Sequence, residues 1–377
     1  MKILVCANSF SSHVVGMSVF SKHLFKVNDT YPDHDIRFLT EDTDASTDKV
    51  YKFKAHYPQR LVALDFIFRQ FSFYRHVRKI RKDFPFDIIV FINLKYSLLS
   101  CLLLPKNIKT IGFITEYMTL NATLHYHQTY RRLFLYRFAC FIERLAARQI
   151  DAISVCSQNL KERVVKKYGT NPDKIFVLYL GFDVDLIEFK QRLNPFNQPI
   201  KLLFVKSNIR RGAIDILAKA LNQLPNYEFI LTIIGPVDAL KNKINSFFKD
   251  VLNVQLNFIG IANTPIVHEA MYQHDILCIP SREEAMGIAN AEGLASGISV
   301  VSTREGGIIE VLDNGKNGWL AEPENAEDLA EKLKECIEAD PILRAEKSRL
   351  GRLFVEKHFD YRQLNKAFLE TCATLLK

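Results

Sequence analysis

The stretch from Pro280 to Val311, P-S-R-E-E-A-M-G-I-A-N-A-E-G-L-A-S-G-I-S-V-V-S-T-R-E-G-G-I-I-E-V, limits what this chain can fold into more than any other. The apolar run from Asp275 to Pro280 reads as a buried strand that stops at a proline. The small, Gly- and Ala-rich segment after it reads as a helix beginning near Ile288 and ending at Gly297, and Ile298 to Ser302 as the next strand. Strand, loop, helix and strand in that order make one unit of a parallel sheet. Glu284 lies in the loop and Glu292 on the helix, with seven residues between them. Amides of Met286, Gly287 and Ile288 would stand unpaired at the helix start, where the macrodipole also favours an anion, so a phosphate could sit there without a metal. A carboxylate beside a phosphate is repulsive. The two glutamates are therefore better suited to accepting hydrogen bonds from hydroxyls on either side, although they could also do no more than complement the helix dipole.

Pro280, Ser281, Glu284, Gly287, Glu292, Gly297, Val300, Val301, Gly306, Gly307 and Glu310 stand in one register. With these residues the sequence resembles the retaining GT-B glycosyltransferases with the Glu-x7-Glu motif, the glycosyl transferases group 1. The resemblance implies an α/β fold of two facing Rossmann-like, doubly wound domains with an interdomain cleft. The acceptor-side domain would cover residues 1–192 and the nucleotide-sugar-binding domain residues 200–358, with a polar linker at 189–199 and a terminal helix at 359–377 crossing back.

The same resemblance implies that Glu292 binds the donor's ribose, that Glu284 holds its sugar and that the amides of Met286, Gly287 and Ile288 hold the diphosphate. Lys206 and Arg211, in the loop K-S-N-I-R-R-G, would neutralise the departing diphosphate, with Arg210 adjacent as a further binding cation. Ile259, Gly260 and Ile261 would meet the base, and Gly16 is what this chain keeps of the family's glycine-rich loop. Glu116 stands where the family commonly carries a histidine, with His125 and His127 following. The implied activity is transfer of a sugar from a UDP- or GDP-sugar co-substrate to an acceptor hydroxyl with retention of configuration. No cofactor and no metal are expected, and the acceptor would be a glycan or a lipid-linked intermediate of cell-surface polysaccharide or glycolipid synthesis. A non-catalytic scaffold and a sugar-nucleotide epimerase of the same shape are the alternatives.

Charge adds a second axis. Residues 1–200 carry 29 Lys and Arg against 18 Asp and Glu, whereas the remainder carry 21 against 24, so an anionic partner would meet the first half. In residues 51–82 nine cations face one acid, Asp65. At helical spacing Val62, Phe66, Phe73, Val77 and Ile80 form a core stripe, while Leu64, Phe68 and Phe71 lie opposite beside Arg75, Arg78 and Lys82. That second face suits an anionic membrane surface, with packing under a neighbouring helix as the competing reading. A cytoplasmic chain is expected, docked through residues 60–82 at the inner face of the cell membrane if the first reading holds. Seven cysteines without a C-x-x-C pair argue for reduced thiols and against a zinc site. No G-x-G-x-x-G follows the first strand, which speaks against a nicotinamide or flavin dehydrogenase, and no nucleic-acid-reading motif is present. Three Asp-x-Asp tripeptides, at 33–35, 42–44 and 183–185, read as turn and capping residues.

Overall fold

A computed structural model describes residues 1–9, 17–42, 47–53, 65–116 and 130–377; side chains at 8, 9, 17, 18, 42, 65, 66 and 130–132 are outside the description. The chain divides into two units, Met1–Phe182 with Tyr361–Lys377, and Asp183–Asp360.

In unit 1, seven parallel strands run β1 (Lys2–Ser9), β2 (Asp35–Asp42), β3 (Val50–Lys52), β4 (Ile88–Phe91), β5 (Lys109–Ile114), β6 (Ala152–Val155) and β7 (Ile175–Val177). Their spatial order is β3-β2-β1-β4-β5-β6-β7. Every residue of β4 and β6 is buried, as parallel strands covered on both faces require. On one face Phe20 and Leu24 of the Met17–Val27 helix pack with Phe368, Leu369 and Cys372 of the Tyr361–Leu375 helix. On the other, Phe73, Val77 and Ile80 of the Asp65–Asp83 helix are buried as the periodicity predicts. Phe138 and Ile142 of the Tyr130–Gln149 helix pack against that same cluster. Val62 and Leu64 fall outside the described residues.

Six parallel strands build unit 2: β8 (Ile200–Val205), β9 (Phe229–Ile234), β10 (Val254–Gly260), β11 (Ile276–Ile279), β12 (Ser299–Thr303) and β13 (Trp319–Ala321). Their order is β10-β9-β8-β11-β12-β13. The helix between β11 and β12 spans Ile288–Ser296 and ends at Gly297 in the left-handed region, as the composition predicts. In both sheets the first strand is central and the order reverses beside it, between β1 and β4 and between β8 and β11. In open sheets of this kind ligands gather at that switch point, beyond the carboxyl ends of the strands.

The linker expected at 189–199 is not a linker here, because the division falls after Phe182 and the segment is bound to unit 2. The Arg192 guanidinium donates to the carbonyls of Met271, Tyr272 and His274 at 2.9–3.0 Å, closing the carboxyl end of the Thr264–Gln273 helix. Burial pulls its pKa down to about 10, which still leaves it charged at neutral pH. Arg344 donates to the Asn194 carbonyl at 2.8 Å and lies 3.8 Å over the Phe196 ring. Arg352 donates to the carbonyls of Ile187 and Ala295. The segment looks like a linker because it is polar and proline-bearing, while Arg344, which binds it at Asn194, is 150 residues away in sequence. The terminal helix begins at Tyr361, two residues later than expected.

All seven cysteines are free, and burial pushes the thiol of Cys336 up to about 12, so it behaves as a small apolar core residue. Of the Asp-x-Asp tripeptides, Asp35 is paired with Arg37 at 3.1 Å and Asp183 to Asp185 form one turn, while 42–44 falls partly outside the described residues. Among the described residues, no helix is long and apolar enough to cross a membrane, and no three His, Cys, Asp or Glu side chains are grouped to hold a metal.

Candidate functional site

Two loops meet at the switch point of unit 2. β8 feeds residues 206–213 and β11, paired with it at Ile276↔Leu202 and Leu277↔Leu203, feeds residues 280–287. The Lys206 ammonium pairs across these loops with the Glu284 carboxylate, both side chains being mostly buried. Arg211 stands beside Glu283, with Nε 3.9 Å from the nearest carboxylate oxygen, beyond hydrogen-bond reach. That Nε is buried without a hydrogen-bond partner among the described residues.

Arg282 braces both loops. Its amide donates to the Arg211 carbonyl at 2.8 Å and its guanidinium to the Arg210 carbonyl at 2.9 Å. The same guanidinium grips Asp215 bidentately at 2.8 and 2.6 Å and also contacts Glu324. Burial works against the Asp215 carboxylate, but the Arg282 hydrogen bonds and charge outweigh it and hold the group below the usual carboxylate range.

The helix start sits beside these charges. Gly287 has φ +96°, and a Cβ there would lie 3.1 Å from Ile308 and 3.2 Å from Asn290, so only glycine fits this turn without strain. The amides of Gly287, Ile288 and Ala289 have no acceptor among the described residues, as at any helix start lacking a side-chain cap. Met286 has its side chain buried in the core. Asn290 donates to Ser302 Oγ at 3.3 Å, and Ser302 Oγ to the Ile279 carbonyl at 2.7 Å, which ties this first turn to the ends of β11 and β12.

Glu292 faces the Thr264–Gln273 helix, where His268 Nε2 lies 3.4 Å from its Oε1 and both side chains are mostly buried. That helix follows the loop expected to meet a base. There the β9–β10 register shifts between Phe258 and Gly260, leaving Ile259 out of the ladder. Gly260 has φ +79° and its carbonyl accepts from the Gly235 amide at 2.7 Å. Ile259 and Ile261 are exposed.

Unit 2 thus gathers Lys206, Arg211 and Glu284 at one sheet edge, with Gly287 and Ile288 on the helix that follows. Arg210 enters through its carbonyl, on which Arg282 is anchored. In unit 1 Glu116 is exposed, just past β5. Gly16, His125 and His127 lie outside the described residues. Three residues were not anticipated: Arg282, Asn290 and His268. The first two sit inside the motif and could have been suspected from it, whereas His268 is 24 residues from its partner and gives no local signal.

Residues 185–352 match the family model described as Glycosyl transferases group 1, and residues 32–186 match Glycosyltransferase Family 4. An uncharacterized glycosyltransferase of Methanocaldococcus jannaschii is 31% identical over 221 residues, 55% of this chain and 61% of that protein. The chain spans about half to three-fifths of the length of the curated relatives it matches first. Among solved structures, sucrose-phosphate synthase from Thermosynechococcus elongatus aligns with a TM-score of 0.80 at 16% identity, covering 99% of this chain and 98% of that one. HepE of Anabaena, solved in complex with UDP and glucose, aligns with a TM-score of 0.70 at 19% identity over 99% of each chain. Likenesses at such identities establish the fold.

Proposed function

We propose, from the match of residues 185–352 to the Glycosyl transferases group 1 model, that the chain is a GT-B glycosyltransferase that moves a sugar from a nucleoside diphosphate to an acceptor hydroxyl with retention of configuration. The observation that carries this reading is the Lys206–Glu284 pair at the β8/β11 switch point, set beside the unpaired amides of Gly287 and Ile288.

In this reading the diphosphate settles on those amides, and its charge draws the Lys206 ammonium away from Glu284. The freed carboxylate then accepts from a sugar hydroxyl, so one exchange of partners engages both ends of the donor. Arg211, with no hydrogen bond of its own to give up at Nε, adds charge as the bond between the anomeric carbon and the leaving oxygen breaks. The acceptor oxygen forms its bond to the same face of that carbon, and its proton passes to the leaving phosphate. Glu292, steadied by His268, holds the ribose, while the bulged backbone at Ile259 to Ile261 meets the base, uracil or guanine. The acceptor is a glycan or a lipid-linked glycan, and the reading includes contact of the 60–82 face with an anionic membrane. HepE, whose structure holds UDP and glucose, supports a UDP-sugar as the first donor to try.

Titration calorimetry against UDP-, GDP- and ADP-sugars, followed by nucleotide release with acceptor present, tests the proposal. One donor should bind, and Glu292→Ala should abolish transfer while the circular-dichroism spectrum stays that of wild type. Full transfer in that variant, or no donor-dependent heat with any sugar nucleotide, would sink it. Turnover of donor without acceptor would favour an epimerase instead.

A further inference from the structure

Two helices of unit 1 carry the same outward pattern. On the Asp65–Asp83 helix Phe71, Arg75, Arg78 and Lys82 are exposed and fall within an arc of about 60° at helical spacing. On the Tyr130–Gln149 helix Phe134, Arg137, Phe141, Arg144 and Arg148 are exposed within an arc of about 80°. The inner faces of both, through Phe73, Val77 and Ile80 and through Phe138 and Ile142, enter one core cluster against the sheet. Both stripes therefore point away from the same sheet face. The short Leu98–Leu103 helix packs against both helices and adds two more exposed apolar side chains. Exposure is 60% at Phe71, 57% at Leu102, 52% at Leu103, 70% at Phe134 and 54% at Phe141, far more than a core-forming residue leaves in water.

Charge decides what such a layer meets. Lys79, on the first of these helices, and Lys106, three residues past the Leu98–Leu103 helix, are also exposed, and Glu143, the one acid of the Tyr130–Gln149 helix, is buried. Among described side chains of the two long helices the only exposed acid is Asp83, at a helix end. A protein partner matched to the phenylalanines would favour a dry patch. Here a cation follows each exposed phenylalanine within a turn or so, the arrangement that lets rings enter a headgroup layer while the cations meet its phosphates.

We propose that the Asp65–Asp83, Leu98–Leu103 and Tyr130–Gln149 helices together form a docking surface for an anionic lipid bilayer. This takes up the membrane contact of the functional reading and widens it from one helix to three, on residues that play no part in donor binding.

Co-sedimentation of the full chain tests it, with vesicles of phosphatidylcholine alone and of phosphatidylcholine mixed equally with phosphatidylglycerol. Wild type should pellet with the mixed vesicles and remain in solution with the neutral ones. Phe134→Ser with Phe141→Ser should lower partitioning about tenfold, and Arg137→Ala and Arg148→Ala roughly fivefold each at low salt. Phe71→Ser should act in the same direction. Circular dichroism should match wild type throughout. A wild-type chain that ignores anionic vesicles overturns the proposal, whether or not it captures an acidic protein. Loss of binding in Phe71→Ser alone, with the Phe134/Phe141 variant unaffected, overturns the three-helix surface. Donor calorimetry is read separately: vesicle binding without donor heat would fail the glycosyltransferase reading and leave this one standing.

Discussion

The two units use one sheet plan and spend their charges in opposite ways. In unit 2 the charged side chains at the switch point face one another: Lys206 with Glu284, Arg211 toward Glu283, Arg282 on Asp215 and Glu324. In unit 1 the short turn after β4, Leu94–Tyr96, buries Leu94 and Tyr96 instead, and the cations lie on the outer helices. Charges arranged in close, mostly buried pairs are poised for an exchange of partners, because an incoming anion finds cations already held in place. Charges spread over an outer layer beside rings meet a surface. On the two readings proposed above, the same βαβ repeat would support a pocket chemistry in one unit and a contact chemistry in the other, with loop and helix surface, not topology, making the difference.

The largest expected effect tests that contrast at Arg211. Arg211→Ala should cut transfer by roughly 10²- to 10³-fold, the usual consequence of removing one preorganised donor from a developing negative charge. Stability should barely change, because the Arg211 Nε has no hydrogen bond to lose and its carboxylate neighbour lies 3.9 Å away. Kinetics with a soluble acceptor and a thermal melt on the same preparation would check both halves. A variant that melts early yet turns over normally would make Arg211 a structural cation and erase the contrast.

A smaller effect separates the two sheets through their glycines. Gly235, after β9, has φ +111°, and a Cβ there would lie 2.8 Å from the backbone of Lys206 and Ser207. Gly112, inside β5, is also crowded, but by the ends of the Leu94 and Ile150 side chains. Side chains can change rotamer and backbone cannot, so Gly235→Ala should cost about 3 kcal/mol and Gly112→Ala about 1 kcal/mol. Gly235→Ala should also raise the KM for donor, since the chain it displaces carries Lys206. Calorimetric melts of the two variants would show the difference in stability and steady-state kinetics the rise in KM, and equal losses in the melts would mean that the edge of unit 2 is no more tightly built than the interior of unit 1.

How much of this could be read beforehand follows the same division. The strand, helix and strand around Glu284 and Glu292 were legible because the signals are local: a proline at a strand end, small residues on a helix packed close to the sheet, and Gly297 at its stop. Gly293 shows why the helix is small on that side, since a Cβ there would lie 2.6 Å from Leu277. The Lys206–Glu284 pair, by contrast, joins residues 78 apart, and no pattern in either loop announces it. Arg192, Arg344 and Arg352 were unreadable for the same reason, and with them the domain boundary. In unit 1 the core stripe of the Asp65–Asp83 helix was legible by periodicity, whereas the matching stripe from Phe134 to Arg148 needed the packing to show which face of that helix is outermost.

The smallest prediction concerns acid. Among the described residues, both histidines whose pKa is lowered, His274 and His358, belong to unit 2. His274 is the better placed: Nδ1 lies 2.6 Å from the Ala270 carbonyl and Nε2 2.7 Å from Thr232 Oγ. A neutral ring donates from Nδ1 and accepts the threonine hydroxyl at Nε2, so both nitrogens are used without a charge. Burial is the main cause of the lowered pKa, and the Ala270 bond and Asp275 offset it only in part. Between its folded pKa and the ordinary value near 6.5 the unfolded chain binds more protons than the folded one. The stabilisation is therefore complete above about pH 6.5 and drains away as pH falls from there through the folded value. Unit 2 should melt earlier at pH 5.5 than at pH 7.5, and His274→Gln should flatten that slope by about 1–2 °C. Glutamine keeps a polar group between Ala270 and Thr232 and has no proton to gain. If the variant keeps the full wild-type slope, His274 is not the group that answers to acid, and His358 is the remaining unit 2 histidine with a lowered pKa to replace.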